Sequence, residues 1–150
     1  MLSRRDWLRA SASGLATLLI AKRSSAEAPS VVTVYKDPGC ECCARWVKHL
    51  SANGFVVSVR DVTNMDEVKR MMNVPAKLQS CHTAVVGRYV IEGHVPASTI
   101  KKFLASKSTA LGLAAPGMPM GSPGMEGDRV DHYDILSFDR DGTSRVYEKR

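Results

Sequence analysis

VVTVYKDPGCECCARWVKHL, residues 31–50, lays a strand, a turn and a helix end to end. Val31, Val32, Val34 and Tyr35 are β-branched or aromatic and predict a buried strand over Val31–Tyr35. Lys36-Asp37-Pro38-Gly39 is turn chemistry. A helix is predicted from about Cys40 to Ala52, stopped by Asn53-Gly54. Cys43, Trp46, Val47 and Leu50 share its inner face, while Arg45, Lys48 and His49 face solvent. Cys40, Cys42 and Cys43 crowd the start of this helix.

Outward from this unit the same signals recur. Phe55–Val59 reads as a second strand. Asn64 caps a second helix, with Glu67 at the capping-box position and Met65, Val68, Met71 and Met72 as its core-facing stripe; Val74-Pro75 ends it. Thr83–Gly87 and Arg88–Gly93 read as a hairpin of third and fourth strands, and Pro96 opens a helix running through Ile100, Phe103 and Leu104. The order β-α-β-α-β-β-α is that of a thioredoxin-like α/β fold, a four-stranded mixed sheet with helices on its faces. This core spans residues 30–107 of a domain covering 30–150. Residues 114–127 are rich in Pro, Gly and Met and read as an irregular, flexible, exposed loop. Residues 132–149, with Asp141-Gly142 at the tip, read as a closing β-hairpin that either extends the sheet or folds back over the core.

Length and composition fit one soluble globular domain: 150 residues, 44% hydrophobic and 24% charged. The net charge of +6 is concentrated at the front, where residues 1–26 hold five of the 21 basic and one of the 15 acidic residues. The rest of the chain is near neutral and has no basic run with interleaved aromatics, so nucleic acid is not an expected partner. SRRDWLRA, residues 3–10, followed by a short apolar stretch and Lys22-Arg23, has the form of a twin-arginine export signal, with cleavage expected after Ala26. The stretch is too short and too diluted by Ser and Gly for a membrane span, so no stable insertion is expected once it is removed. Export places the protein in the periplasm, where disulfides are permitted.

In this strand order the third strand runs antiparallel to the first, so Cys81 and His82, just before it, come to the edge where the first strand delivers Cys40, Cys42 and Cys43. The fourth strand returns His94 to the same edge. Thiolates in the first helical turn are favoured by the unpaired amides and macrodipole there, which suits a nucleophile and a metal ligand equally. Three readings compete. Cys40 and Cys43 form a C-x-x-C pair that would serve a thiol–disulfide oxidoreductase, Cys40 attacking and Cys43 resolving. Cys42 and Cys81 would interfere with such a pair by exchange, and Ser80-Cys81-His82-Thr83 lacks the proline that exchangers of this fold place before the third strand. Structural bridges, Cys40–Cys43 beside Cys42–Cys81, would close only a short first loop and contribute little. The metal reading is favoured. Structural zinc usually brings two spaced knuckles, whereas crowded thiols with few outer ligands suit copper(I) bridged by sulfur. Met118, Met120 and Met125 add thioethers of the same preference, and His82 and His94 are imidazole candidates. His132 depends on how the last hairpin folds. Trp46 is expected to pack under the cysteines and keep water from the sulfurs.

GCECCARWVKHL, SCHTAVVGRYVIEGHVPASTIKKFL and GLAAPGMPMGSPGME together resemble the bacterial domain-of-unknown-function family linked to copper resistance, the CopG-like proteins, over about Val31–Arg150. The resemblance implies a thioredoxin-like fold, a periplasmic location and copper held by Cys40, Cys42, Cys43 and Cys81, alongside copper efflux and sequestration systems; periplasmic chaperones or efflux components would be its partners. The expectation is a metal-binding protein rather than an enzyme, with a copper(I)/copper(II) step or thiol redox chemistry left open.

Overall fold

The computed structural model describes residues 30–150; the export signal read at residues 1–26 lies outside the described residues. Seven strands and three helices follow the expected order and then continue it: β1 (Val31–Lys36), α1 (Glu41–Ala52), β2 (Val56–Asp61), α2 (Met65–Met71), a 3-10 turn (Ala76–Leu78), β3 (Thr83–Val86), β4 (Tyr89–Gly93), α3 (Ala97–Ala105), β5 (Gly112–Ala115), β6 (Asp134–Phe138) and β7 (Ser144–Lys149). All seven strands join one mixed sheet in the order β2-β1-β3-β4-β5-β6-β7. The sheet is therefore larger than the four strands read from the sequence, and the closing hairpin extends it.

Alternation along the strands explains the two layers of core. Ile91, Leu113 and Ile135 pack with Trp46 and Leu50 of α1 and with Ile100 and Phe103 of α3. Their neighbours in sequence, Val90, Ala114 and Leu136, turn to the opposite face, with Val74 and Leu78. β4, the middle strand, is buried along its whole length, as a strand covered on both faces must be. Each large apolar side chain removed from water here contributes about 1.5–3 kcal/mol.

β5 carries no strand signal in the sequence, because Gly112-Leu113-Ala114-Ala115 has no β-branched residue. It runs parallel to β4, with Val90 opposite Gly112. A Cβ on Gly112 would lie 1.9 Å from the Val90 carbonyl oxygen, so only glycine lets the two strands approach. α2 ends three residues before Val74, earlier than the proline implies. Asn64 Oδ1 caps it as expected, accepting from Glu67 N at 3.2 Å. Met71, assigned to the core, is 67% exposed; the residue α2 buries is Lys69.

Candidate metal centre

Strand register delivers the donors to one rim. Tyr35, near the end of β1, pairs with Thr83, the first residue of β3, so Cys81 and His82 stand beside the turn that leads to Cys40. Thr83 in turn pairs with Glu92 of β4, which brings Gly93-His94 to the same rim, and Gly93 pairs with Ala115, where the Met-rich loop departs. Asp37 shapes the entry to α1: its side chain accepts from Gly39 N at 2.8 Å and its carbonyl from Cys40 N at 3.1 Å. Cys40 thereby becomes the N-cap of α1, with Cys42 and Cys43 in the first turn.

The four cysteine sulfurs lie within 4.8 Å of one another. Cys40 and Cys43 are bridged, with their Cα atoms 5.3 Å apart. Cys42 and Cys81 are free thiols, Cys42 Sγ lying 3.5 Å from Cys40 Sγ and 3.8 Å from Cys81 Sγ. The pairing weighed from the sequence thus occurs in its first half only. Cys81 also belongs to a second set, with ring nitrogens of His82 and His94. Its sulfur is 3.0 Å from His94 Nε2 and 3.3 Å from His82 Nδ1.

Hydrogen bonding fixes what each imidazole offers. His94 Nδ1 is 2.7 Å from the Pro123 carbonyl, which can only accept, so Nδ1 carries the proton and the Nε2 lone pair faces Cys81. His82 is fully buried and packs against Trp46, with ring centroids 4.3 Å apart and the ring planes tilted by 42°. Its Nε2 has no partner among the described residues, an orphaned buried atom on the ring whose Nδ1 meets Cys81. Burial, then His94, then Lys69 hold the His82 pKa well below its usual value, and burial lowers that of His94 against the opposing Pro123 bond. Both rings are neutral, the state in which imidazole binds metal. Burial first, and Cys42 next, push the Cys81 thiol up to about 12. Cys81 stands outside the helix whose dipole favours thiolates, so its proton must be displaced by whatever it binds. Buried orphan nitrogen, neutral imidazoles and clustered sulfur together fit a soft, thiophilic ion.

Hydrogen bonds tie the Met-rich loop to itself, to Gln79 and to α1. Met125 N donates to Ser122 O and Gly121 N to Met125 O, both at 2.8 Å, and Gly117 N reaches Gln79 O at 3.2 Å. Arg45 Nε donates to Gly124 O at 3.0 Å, drawing the loop onto the first turn of α1. Gly124 has φ +88°, and a Cβ there would meet Cys42 O at 2.6 Å and Trp46 N at 2.9 Å. Met118 is 54% exposed and Met120 and Met125 are half-buried on this loop. Among the His, Cys, Asp and Glu side chains of the described residues, the compact donor sets are made by cysteine and histidine.

Two other histidines fall elsewhere. His132 is exposed and lines a surface hollow with Tyr133, Asp134, Lys149 and Arg150. His49, read as solvated, is half-buried; its Nε2 accepts from Ala97 N at 3.0 Å, satisfying the first free amide of α3 after Pro96. Trp46 is buried as expected and donates from Nε1 to Val95 O at 2.9 Å. A buried ion pair, Lys69–Glu92 at 2.5 Å, has no counterpart in the sequence reading. A signal for it exists: Glu92 interrupts the apolar strand RYVIEG, a place where charge survives only with a partner.

Residues 78–125 match the family described as a protein of unknown function, DUF411. No curated protein matches. Two solved structures, both titled copper resistance protein copG, in forms 1 and 2, are similar at TM-score 0.77 and 44% identity, over 81% of this chain and 98% of theirs. No helix among the described residues is long and apolar enough to cross a membrane.

Proposed function

Because this chain belongs to the family of the copper resistance protein copG, and its residues 78–125 match DUF411, we propose that it is an exported copper-binding protein of copper resistance. It holds copper(I) on Cys40, Cys42, Cys43 and Cys81, with His94 and His82 at the rim of the cluster. The observation that carries this reading is the convergence of sulfurs 38 or more positions apart in sequence into a set within 4.8 Å, with a lone pair of His94 on Cys81. Copper(I) accepts two or three sulfurs and thiolates bridge copper ions, so four sulfurs and two imidazoles suit several ions rather than one. Met118, Met120 and Met125 offer weaker thioether sites for ions arriving or leaving. The twin-arginine signal directs the chain to the periplasm, where copper chaperones or efflux components would exchange copper with it.

Loading all four sulfurs from the bridged state requires two electrons and two protons to open Cys40–Cys43. Run in reverse, two thiols closing that bridge release two electrons and two protons, which would reduce two copper(II) ions to copper(I). The test is anaerobic copper(I) loading of reduced protein, with elemental analysis and X-ray absorption. Several copper ions per chain, sulfur ligation and short copper–copper vectors are expected. Stoichiometric zinc with no copper uptake would replace this reading with a structural zinc site.

The Cys40–Cys43 bridge at a helix N-terminus favours a second reading, thiol–disulfide exchange. An exchanger would survive Cys42→Ser and Cys81→Ser; copper binding would not. Robust insulin reduction unaffected by copper and by both changes would establish the exchanger instead.

A further inference from the structure

The Lys69–Glu92 pair is sealed in the interior, with side chains 4% and 0% exposed. Glu92 Oε1 accepts from Lys69 Nζ at 2.5 Å and from Ser80 N at 2.7 Å. Its Oε2 accepts from Thr83 Oγ1 at 2.6 Å, and Lys69 Nζ also donates to Thr83 Oγ1 at 3.1 Å. A buried ion pair is a poor way to gain stability, since apolar residues of similar volume serve as well or better. What this pair does that apolar residues cannot is accept the amide of Ser80, the residue before Cys81. It grips the Cys81 segment from inside the sheet, through a carboxylate two residues before His94.

The remaining ties of that segment point the same way. Gly93 N donates to His82 O at 3.0 Å, and Ser80 Oγ donates to Gly117 O of the Met-rich loop. A Cβ on Gly93 would lie 2.6 Å from Ser80 Oγ, so the segment sits flush against β4. Building on the copper reading above, we propose that Lys69, Glu92 and Thr83 are positioning residues. They fix the Ser80-Cys81 backbone so that the Cys81 sulfur meets both Cys42 and His94, and the metal affinity of the centre depends on them although none of them binds the metal.

Three variants in the full chain separate positioning from stability. The double change K69M/E92L replaces the ion pair with apolar groups and leaves the Ser80 amide without its acceptor. T83V is a milder change that keeps both charges. F103L, in the packing of α3 against Tyr89 and Tyr147, is a control for lowered stability alone. Copper(I) affinity is read by competition with bicinchoninate. The metal-free readout is the rate at which diamide links Cys42 to Cys81 in protein that retains the Cys40–Cys43 bridge, followed by mass spectrometry. Loss of an outer partner of a metal ligand typically weakens binding about 10–100-fold, and K69M/E92L should show a loss of that order while melting near the wild-type temperature. Its linking rate should fall about tenfold, in keeping with that range; F103L should leave both readouts within about twofold. Should K69M/E92L fold and match wild type in both readouts, or F103L lower them as much, the proposal is overturned. If K69M/E92L does not fold, T83V decides by the same comparison. If the wild-type chain binds no copper(I), the copper reading falls, and the linking rate alone decides the positioning.

Discussion

At the scale of single residues the centre works by denying its donors any other partner. His94 spends its proton on Pro123 and His82 has no bond for Nε2, so both rings keep lone pairs for a metal. Replacing His94 with Gln removes the fixed lone pair beside Cys81. Copper(I) affinity in a competition assay should fall at least about tenfold, the lower end of what losing even an outer partner costs. Cys81 makes a second prediction. With its thiol pushed up to about 12, it enters the complex protonated near pH 8, so copper binding releases that proton. Since C81S should not load copper, indicator dye in weak buffer should record proton release when copper(I) is added to wild type and none when it is added to C81S; equal release would mean Cys81 is not a ligand.

At the scale of elements, one side chain and one glycine hold the pieces of the rim together. His49 accepts the amide that opens α3, and burial lowers its pKa against the opposing attraction of Glu126. For a base lowered on folding, the unfolded chain binds the proton first as pH drops below about 6.5. Stability is therefore full above that value and is lost as pH falls toward the folded pKa. Thermal melting temperature should decline between pH 7 and 5, and H49Q should flatten part of that decline. His82 and His94 are lowered in the same direction and retain the rest. Gly124→Ala tests the loop: left-handed backbone and contact with Cys42 O should cost about 1–3 kcal/mol, read from chemical denaturation. These elements also mark where sequence stops being legible. β1, α1, β3 and β4 announce themselves by period and punctuation, and their register alone brings Cys81 and His94 to the triplet. β5 does not, because what qualifies Gly112 for a strand is the nearness of Val90, a tertiary fact. His49 misleads for a related reason: a polar residue is read as solvated until its partner, here Ala97 N, is known.

At the scale of the whole molecule, the last hairpin, two and three strands beyond β4 in sheet order, is tied to the centre through one connection. Residues 116–133 leave β5 beside Gly93, pass over the first turn of α1 and reach β6. Their far end is pinned where Met120 N meets the Asp131 carboxylate at 3.0 Å and Tyr133 exchanges backbone bonds with Arg150 at 2.9 and 3.0 Å. The hairpin also closes the core: Ile135 and Phe138 are buried, and β6 covers the edge of β5. Ending the chain after Val130 removes both functions at once. Losing the burial of two such side chains costs about 3–6 kcal/mol, a large part of the roughly 5–15 kcal/mol that holds a domain of this size. The truncated protein should melt at much lower temperature, or without a cooperative transition, by circular dichroism. Its Pro123 carbonyl should no longer be held on His94, so copper(I) affinity should fall even at temperatures where the chain stays folded. A truncated chain that melts and binds copper like the full one would mean that the Met-rich loop is anchored by α1 and Gln79 alone, and that the hairpin serves some purpose separate from the metal centre.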